Sequence, residues 1–323
     1  MPHAPEFWTK AGLTSDLLLP ASWVYAALGS ARRRVHHAWR ARVPVLCVGN
    51  LVAGGAGKTP VTLSLARFLA EAGAAPHILS RGYGGSLAGP VRVDPTRHSA
   101  AEVGDEPLLL AQAAPTWIGR DRVASAKEAI AAGAQLLLLD DGFQNPSLHQ
   151  DIALVVIDGA YGIGNGRVIP AGPLREPAAV GLARASAVVL MGENDAGVTL
   201  AGHTVLKARL APCAAEDFAG KKVVAFAGIG QPRKLTATLE EVGATVVAAH
   251  AFPDHHPYRE TELARLANEA GAAGADLATT EKDFVRLPAP WRQHIRTLKV
   301  EVVWENRDAL RRVLEPLLAR LHG

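Results

Sequence analysis

The sequence predicts an α/β protein: a parallel β-sheet with helices on both faces, a smaller C-terminal α/β unit, and an N-terminal amphipathic helix. Three observations carry this. Short apolar, β-branched runs alternate with helical patterns along most of the chain, as expected for strands covered on both faces. A glycine-rich loop, GNLVAGGAGKTP at residues 49–60, lies between one such strand and a helix. Near residue 213 the alternation restarts, dividing the chain into residues 1–42, 43–212 and 213–323. With 323 residues, 49% of them hydrophobic and 20% charged, there is material for about two cores.

The first element is LLLPASWVYAALG, residues 17–29. This largely apolar run is shorter than the roughly 20 residues that a helix needs to cross a bilayer. SARRRVHHAWRAR follows, with Arg32, Arg33, Arg34, Arg40 and Arg42 and no acid. Net charge is only +3, and removing those five arginines leaves 29 basic against 31 acidic side chains. The basic balance is therefore local, which gives no support to a nucleic-acid binder. A signal peptide would carry its charge before the apolar run instead of after it. Two readings remain: a helix lying on an anionic membrane surface, or a helix docked on the protein's own core with a solvated basic end. The two cysteines, Cys47 and Cys213, cannot build a disulfide framework, so a reducing compartment is expected.

VPVLCVGN (43–50) reads as a buried strand, and VTLSLARFLAEAG as a helix that Pro60 can start and Gly73 can stop. HILSRGYGG then gives a strand and loop, VASAKEAIAAGA a helix, and QLLLLDDGF a strand ending in two carboxylates. DIALVVIDG and ASAVVLMG give two more strands. In the second unit KKVVAFAGIG, TVVAAHAF, DLATTEKD and LKVEVVWE read as strands, with helices at KLTATLEEVGA, TELARLANEAGA and the C-terminus.

Strand, glycine loop and helix form the context of a P-loop NTPase-type phosphate cradle, where backbone N–H groups and a helix N-terminus converge on phosphate oxygens. The usual spacing would put a glycine at position 52, where Val52 stands; glycines occur at 49, 54 and 55 instead. Gly54, Gly55, Ala56, Gly57, Lys58, Thr59 and Pro60 are the candidate nucleotide contacts. Lys58 would neutralise the β and γ phosphates, and the Thr59 hydroxyl would ligate Mg²⁺. Asp140 and Asp141, at the carboxyl end of a predicted strand, have the place of a magnesium-holding pair. GDEP contributes Asp105 and Glu106, the latter a further metal candidate. DHHPY contributes Asp254, His255 and His256. Arg81, Arg120, Arg122, Arg175 and Glu176 complete the charged loops, each weak alone.

Together, VGNLVAGGAGKTP, LSRGYGG, GDEP, DDGFQN, GPLREP, FPDHHPY and TTEKDFVRL, in that order across residues 43–287, resemble the tetraacyldisaccharide 4'-kinase (lipid A 4'-kinase) family. The resemblance implies transfer of the ATP γ-phosphate to the 4'-hydroxyl of a tetraacylated glucosamine disaccharide 1-phosphate. It implies a peripheral enzyme at the cytoplasmic face of the bacterial inner membrane, with ATP and Mg²⁺ as cofactors and no obligate protein partner. It turns the N-terminal helix towards membrane contact. Asp105 becomes the catalytic acidic residue beside the acceptor hydroxyl, with His255 as its partner, although His256 is adjacent. Lys58 and Asp141 join the catalytic set, and Arg81, Arg122, Arg175 and Glu176 become substrate contacts.

A second class has a related loop: membrane-associated ATPase switches of the division and partition type, with Lys-Gly-Gly-x-Gly-Lys-Thr. Their signature lysine would fall at Ala53. Such a switch has little use for GPLREP or DHHPY.

Overall fold

The computed structural model describes residues 5–213, 215–229 and 232–321. Residues 1–4 of the expected N-terminal segment, and 214, 230, 231, 322 and 323 of the C-terminal unit, lie outside the described residues. The strands are β1 (Val45–Gly49), β2 (Pro76–Ser80), β3 (Val91–Arg92), β4 (Thr116–Ile118), β5 (Leu136–Asp140), β6 (Ile152–Asp158), β7 (Ala187–Met191), β8 (Val205–Cys213), β9 (Lys222–Ala227), β10 (Thr245–Ala251), β11 (Asp276–Thr280) and β12 (Ile295–Trp304). They form one 12-stranded sheet in the order β10-β9-β11-β12-β8-β7-β6-β1-β5-β2-β4-β3. Pairing is parallel except at β3–β4 and β8–β12.

Burial on both faces explains why the central strands are apolar without alternation. Leu136 and Leu138 point to one side, with Leu46, Val48 and Ile78, under Val61, Leu65 and Leu69 of helix Lys58–Glu71. Leu137 and Leu139 point to the other, with Cys47 and Val155, under Ala126, Ala129 and Ile130 of helix Arg122–Ala131. A run of four leucines is thus one strand seen from two cores. The second unit repeats the arrangement: Val223 and Ala225 pack under Leu235 and Leu239, while Val224 and Phe226 pack under Leu263 and Leu266.

The sheet does not break at residue 213. Strand β8, which the sequence did not announce, ends there and pairs antiparallel with β12, in a register that runs from Lys299 opposite Cys213 to Trp304 opposite Ala208. The chain then re-enters the first unit. Leu310, Leu314 and Leu317 of helix Arg307–Ala319 join the core of helix Lys58–Glu71, and Trp304 Nε1–H donates to Ser64 Oγ at 2.8 Å.

The N-terminal helices, Leu13–Leu17 and Leu19–Val35, attach through small polar groups instead of apolar ones. Buried Ser22 donates to Val168 O and accepts from Ala171 N–H, and buried Ser15 accepts from Arg167. Leu13, Leu17, Trp23, Val24, Leu28 and Val35 stay 60–77% exposed. Their apolar side is not docked on the protein's own core. Among the described residues no helix is long and apolar enough to cross a membrane.

Candidate active site

Strand β1 lies between β5 and β6, and the chain moves outward on opposite sides of it. The carboxyl ends of β1 and β5 therefore open at the point where the order reverses, the usual ligand crevice of an open parallel sheet. The loop after β1 shows what became of the unusual spacing. Gly49 is required by packing, because a Cβ there would collide with Phe143 Cβ of the DDGFQN stretch. Val52, where the usual pattern has glycine, is buried and bridges to Leu174, while Ala53 N–H donates to Pro173 O at 2.7 Å. The first half of the loop is thus pinned by the GPLREP stretch, and the second half is left to face ligand.

That second half has the required freedom. Gly54 and Gly57 take φ of +130° and +82°, where a side chain is strained, and nothing lies within 4 Å of a Cβ at Gly54 or Gly55. Ala56 is buried against the core, while Lys58, Thr59 and Pro60 form the half-exposed first turn of the helix. Gly57 caps that turn without a side chain, so the leading N–H groups have no intramolecular cap.

Lys58 Nζ donates to Gly54 O at 3.4 Å and lies 3.8 Å from Asp141 Oδ1. Arg175 grips Asp141 bidentately, Nη1 to Oδ1 at 2.8 Å and Nη2 to Oδ2 at 3.1 Å. Burial raises the Asp141 carboxyl, but Lys58 and Arg175 outweigh it and hold it below the usual carboxylate range. Asp140 behaves oppositely. Its Oδ1 accepts from the Thr62 hydroxyl at 2.9 Å, yet burial, then Glu106 and Asp141, push it up to about 7. Lys58 and the Thr62 hydroxyl act in the opposite direction but do not offset this.

Asp105 begins helix Asp105–Leu110 and is 4% exposed. With its proton on Nδ1, His255 donates to Asp105 Oδ2 at 2.9 Å. Burial raises Asp105, and the His255 hydrogen bond, Lys282, the His255 charge and Arg286 overcome this, holding it below the usual range. The choice between adjacent histidines is geometric: His256 turns away, hydrogen-bonded to Glu262 at 3.0 Å and packed between Phe252 and Tyr258. Among the described residues, Asp141 (φ +52°) and His255 (φ +61°) are the non-glycine residues with left-handed backbone. Both are candidate site residues, and such strain concentrates at functional sites.

Two expected substrate contacts are buried in this structure. Arg122 is 3% exposed, with Nη1 donating to Gly119 O at 2.6 Å. Glu176 is 1% exposed and held by Arg184 at 2.6 Å, with Arg33 at 3.5 Å. Charge in a loop was the sequence signal, but both side chains fold inward onto protein partners and stand behind the site. Arg175 is engaged by Asp141, while Arg81 and Arg120 remain exposed. Sequence reasoning gave no role to Thr62, Lys282, Asp283 or Arg286; the last three lie in the TTEKDFVRL stretch, which was the available signal.

Among the described residues, no group of three or more His, Cys, Asp and Glu side chains forms a ready-made metal cage. Mg²⁺ does not demand one, since it is held by one or two carboxylates plus substrate phosphates and waters. The raised Asp140 beside Glu106 and Asp141, with the Thr59 hydroxyl in the first helical turn, fits that need.

The sequence model of the tetraacyldisaccharide-1-P 4'-kinase family, LpxK, matches residues 14–319. The chain is similar to the tetraacyldisaccharide 4'-kinase of Rhodospirillum centenum, at 56% identity covering 98% of this chain and 97% of that one. It is 50% identical to that of Rhodospirillum rubrum, covering 98% of each. Among solved structures it is similar to LpxK from Aquifex aeolicus, an "apo" form in complex with ATP. There the TM-score is 0.78 at 26% identity, over 95% of this chain and 100% of that one.

Proposed function

Since the chain belongs to the tetraacyldisaccharide-1-P 4'-kinase family, we propose that phosphoryl transfer takes place where loop 50–57 faces loop 253–256. The activity is ATP-dependent phosphorylation of the 4'-position of a tetraacyldisaccharide 1-phosphate in lipid A biosynthesis. The observation that carries the assignment is the Asp105–His255 hydrogen bond, beside a carboxylate pair and a phosphate-loop lysine.

In this reading residues 54–60 cradle the ATP phosphates through backbone N–H groups, and Lys58 supplies charge to the β and γ oxygens. Asp140, Asp141, Thr59 and Glu106 would hold Mg²⁺. When bound, that ion neutralises charge developing on the phosphoryl oxygens. Arg175 keeps Asp141 aimed at Lys58. Asp105 accepts the proton of the acceptor hydroxyl, and His255 fixes the carboxylate's direction. Arg81, exposed at the mouth, is the remaining candidate for a substrate phosphate. The nucleotide-holding unit is residues 43–212 with helix Arg307–Ala319 packed on it, and the rest of 213–304 brings His255 over it.

The test is phosphate transfer to a detergent-dispersed disaccharide acceptor. Labelled phosphate should appear on the acceptor, with ATP hydrolysis nearly idle without it. Vigorous hydrolysis without acceptor, stimulated by self-association, would instead favour the ATPase-switch class.

The segment 14–42 is the membrane contact of a peripheral protein at the cytoplasmic face of the inner membrane. The outward Leu17, Trp23, Val24 and Leu28 and the arginines beyond them support this. Arg33 faces Glu176, so the informative substitutions are Arg32→Ser and Arg34→Ser. At about 1 kcal/mol per arginine, their joint loss should weaken binding to anionic vesicles roughly 30-fold, and added salt should act in the same direction. Co-sedimentation indifferent to both changes would count against this surface.

A further inference from the structure

The TTEKDFVRL stretch has no part in the transfer described above, yet its charged side chains converge on the Asp105–His255 pair. Arg286 is central. Its side chain is 5% exposed, and Nε lies 3.3 Å from Asp105 Oδ2 while donating to Lys282 O at 3.0 Å. Nη1 and Nη2 both donate to Gly228 O at 3.2 Å, Nη1 reaches His256 O at 3.5 Å, and Nη2 lies 3.4 Å from Asp283 Oδ1. Asp283 is itself fully buried, accepting from Gly228 N–H at 2.8 Å and from the Tyr258 hydroxyl at 2.7 Å. A Cβ at Gly228 would approach Arg286 Nη1 to 3.2 Å, so the guanidinium lies tightly against the end of β9.

Lys282 closes the other side. Its Nζ lies 3.5 Å from His255 Nε2, the nitrogen turned away from Asp105, and donates to Asp254 Oδ1 at 3.3 Å. Asp105 and His255 are 150 residues apart and sit on different units, joined to each other by a single hydrogen bond. One bond fixes a distance but leaves the approach angle soft. Arg286 adds an ion pair to the same carboxylate oxygen, and the same planar group binds the backbone of the loop carrying His255. Lys282 holds the imidazole from behind.

We propose that Arg286 and Lys282 are positioning residues for the phosphoryl transfer, clasping the C-terminal unit onto Asp105 so that carboxylate and imidazole meet at one angle. The proposal rests on Asp105–His255 being the proton-handling pair. Its physical basis is that a misplacement of about 1 Å can cost about 100-fold in rate. A guanidinium fork also cannot be replaced by a point charge without loss of direction.

The experiment is steady-state kinetics of the full-length protein, with ATP affinity measured separately. Arg286→Gln should lower kcat about 100-fold while KM for ATP stays within about twofold, and Arg286→Lys should recover part of the loss. Lys282→Met, at a quarter-exposed position where folding is not at issue, should lower kcat about 10-fold with both KM values kept. Asp105→Asn combined with Arg286→Gln should be no more than about threefold worse than Asp105→Asn alone. An inactive Asp105→Asn beside Arg286→Gln or Lys282→Met variants of full kcat would overturn the clasp and leave the pair standing. So would losses that multiply in the double variant, or an ATP affinity that falls as far as kcat. A fully active Asp105→Asn would overturn the pair, and the clasp with it.

Discussion

Lys58→Ala should lower kcat by about 100- to 1000-fold, the scale on which removing one preorganised charge or donor from a transition state is felt. The lysine stands in the first helical turn, half-buried, with Gly54 O and Asp141 as its contacts. Its ammonium supports no hydrophobic cluster, and Asp141 keeps its bidentate Arg175 when the ammonium is gone. The melting temperature should therefore stay within a few degrees of the natural chain. Charge on the transferring group is greatest in the transition state, so kcat should fall more than KM for the acceptor rises. A Lys58→Ala protein with near-normal turnover would remove residues 54–60 from the role of phosphate cradle.

Asp105→Ala and His255→Ala should each lower kcat by about 100-fold or more, and the double variant should be little worse than the poorer single. The reason is that the imidazole acts through the carboxylate it orients, so losing either empties the same function. His255 holds φ of +61°, and asparagine tolerates that backbone better than most residues, so His255→Asn separates loss of the ring from loss of the loop conformation. It should be as slow as His255→Ala. His256→Ala is the matched control: its ring packs with Phe252 and Tyr258, and its loss should cost stability with little change in turnover. Strictly multiplicative losses at 105 and 255, or a fully active His255→Asn, would make the histidine structural and leave Asp105 to act alone.

Much of this architecture was legible because it depends on neighbours in the chain. Four leucines before Asp140 announce a strand covered twice, and Gly54, Gly55 and Gly57 before Lys58 announce a cradle whatever stands at position 52. The antiparallel join of β8 to β12 was not legible, because VLKARLAPC is half-exposed and carries no strong period. Nor was the return of the last helix to the first core, which its amphipathic pattern permits without naming the partner. Arg122 and Glu176 looked like ligand contacts because they are charged and lie in loops; the structure buries both, Arg122 on the Gly119 carbonyl and Glu176 against Arg184.

By itself, then, the sequence determined the elements that local spacing controls: the parallel sheet, the phosphate loop and the carboxylates ending β5; that the apolar run at residues 17–29 faces outward came from the structure. Hydrophobic period and glycine conformation act over a few residues, so a few residues suffice to reveal them. Only the tertiary structure decided that His255 and not His256 meets Asp105, that Thr62 rather than a solvent group holds Asp140, and that Arg286 joins two units. Each of those contacts closes between residues 78 to 181 positions apart. Such pairing depends on how two separate cores are packed against one sheet, and nothing in the spacing of a local motif carries that distance.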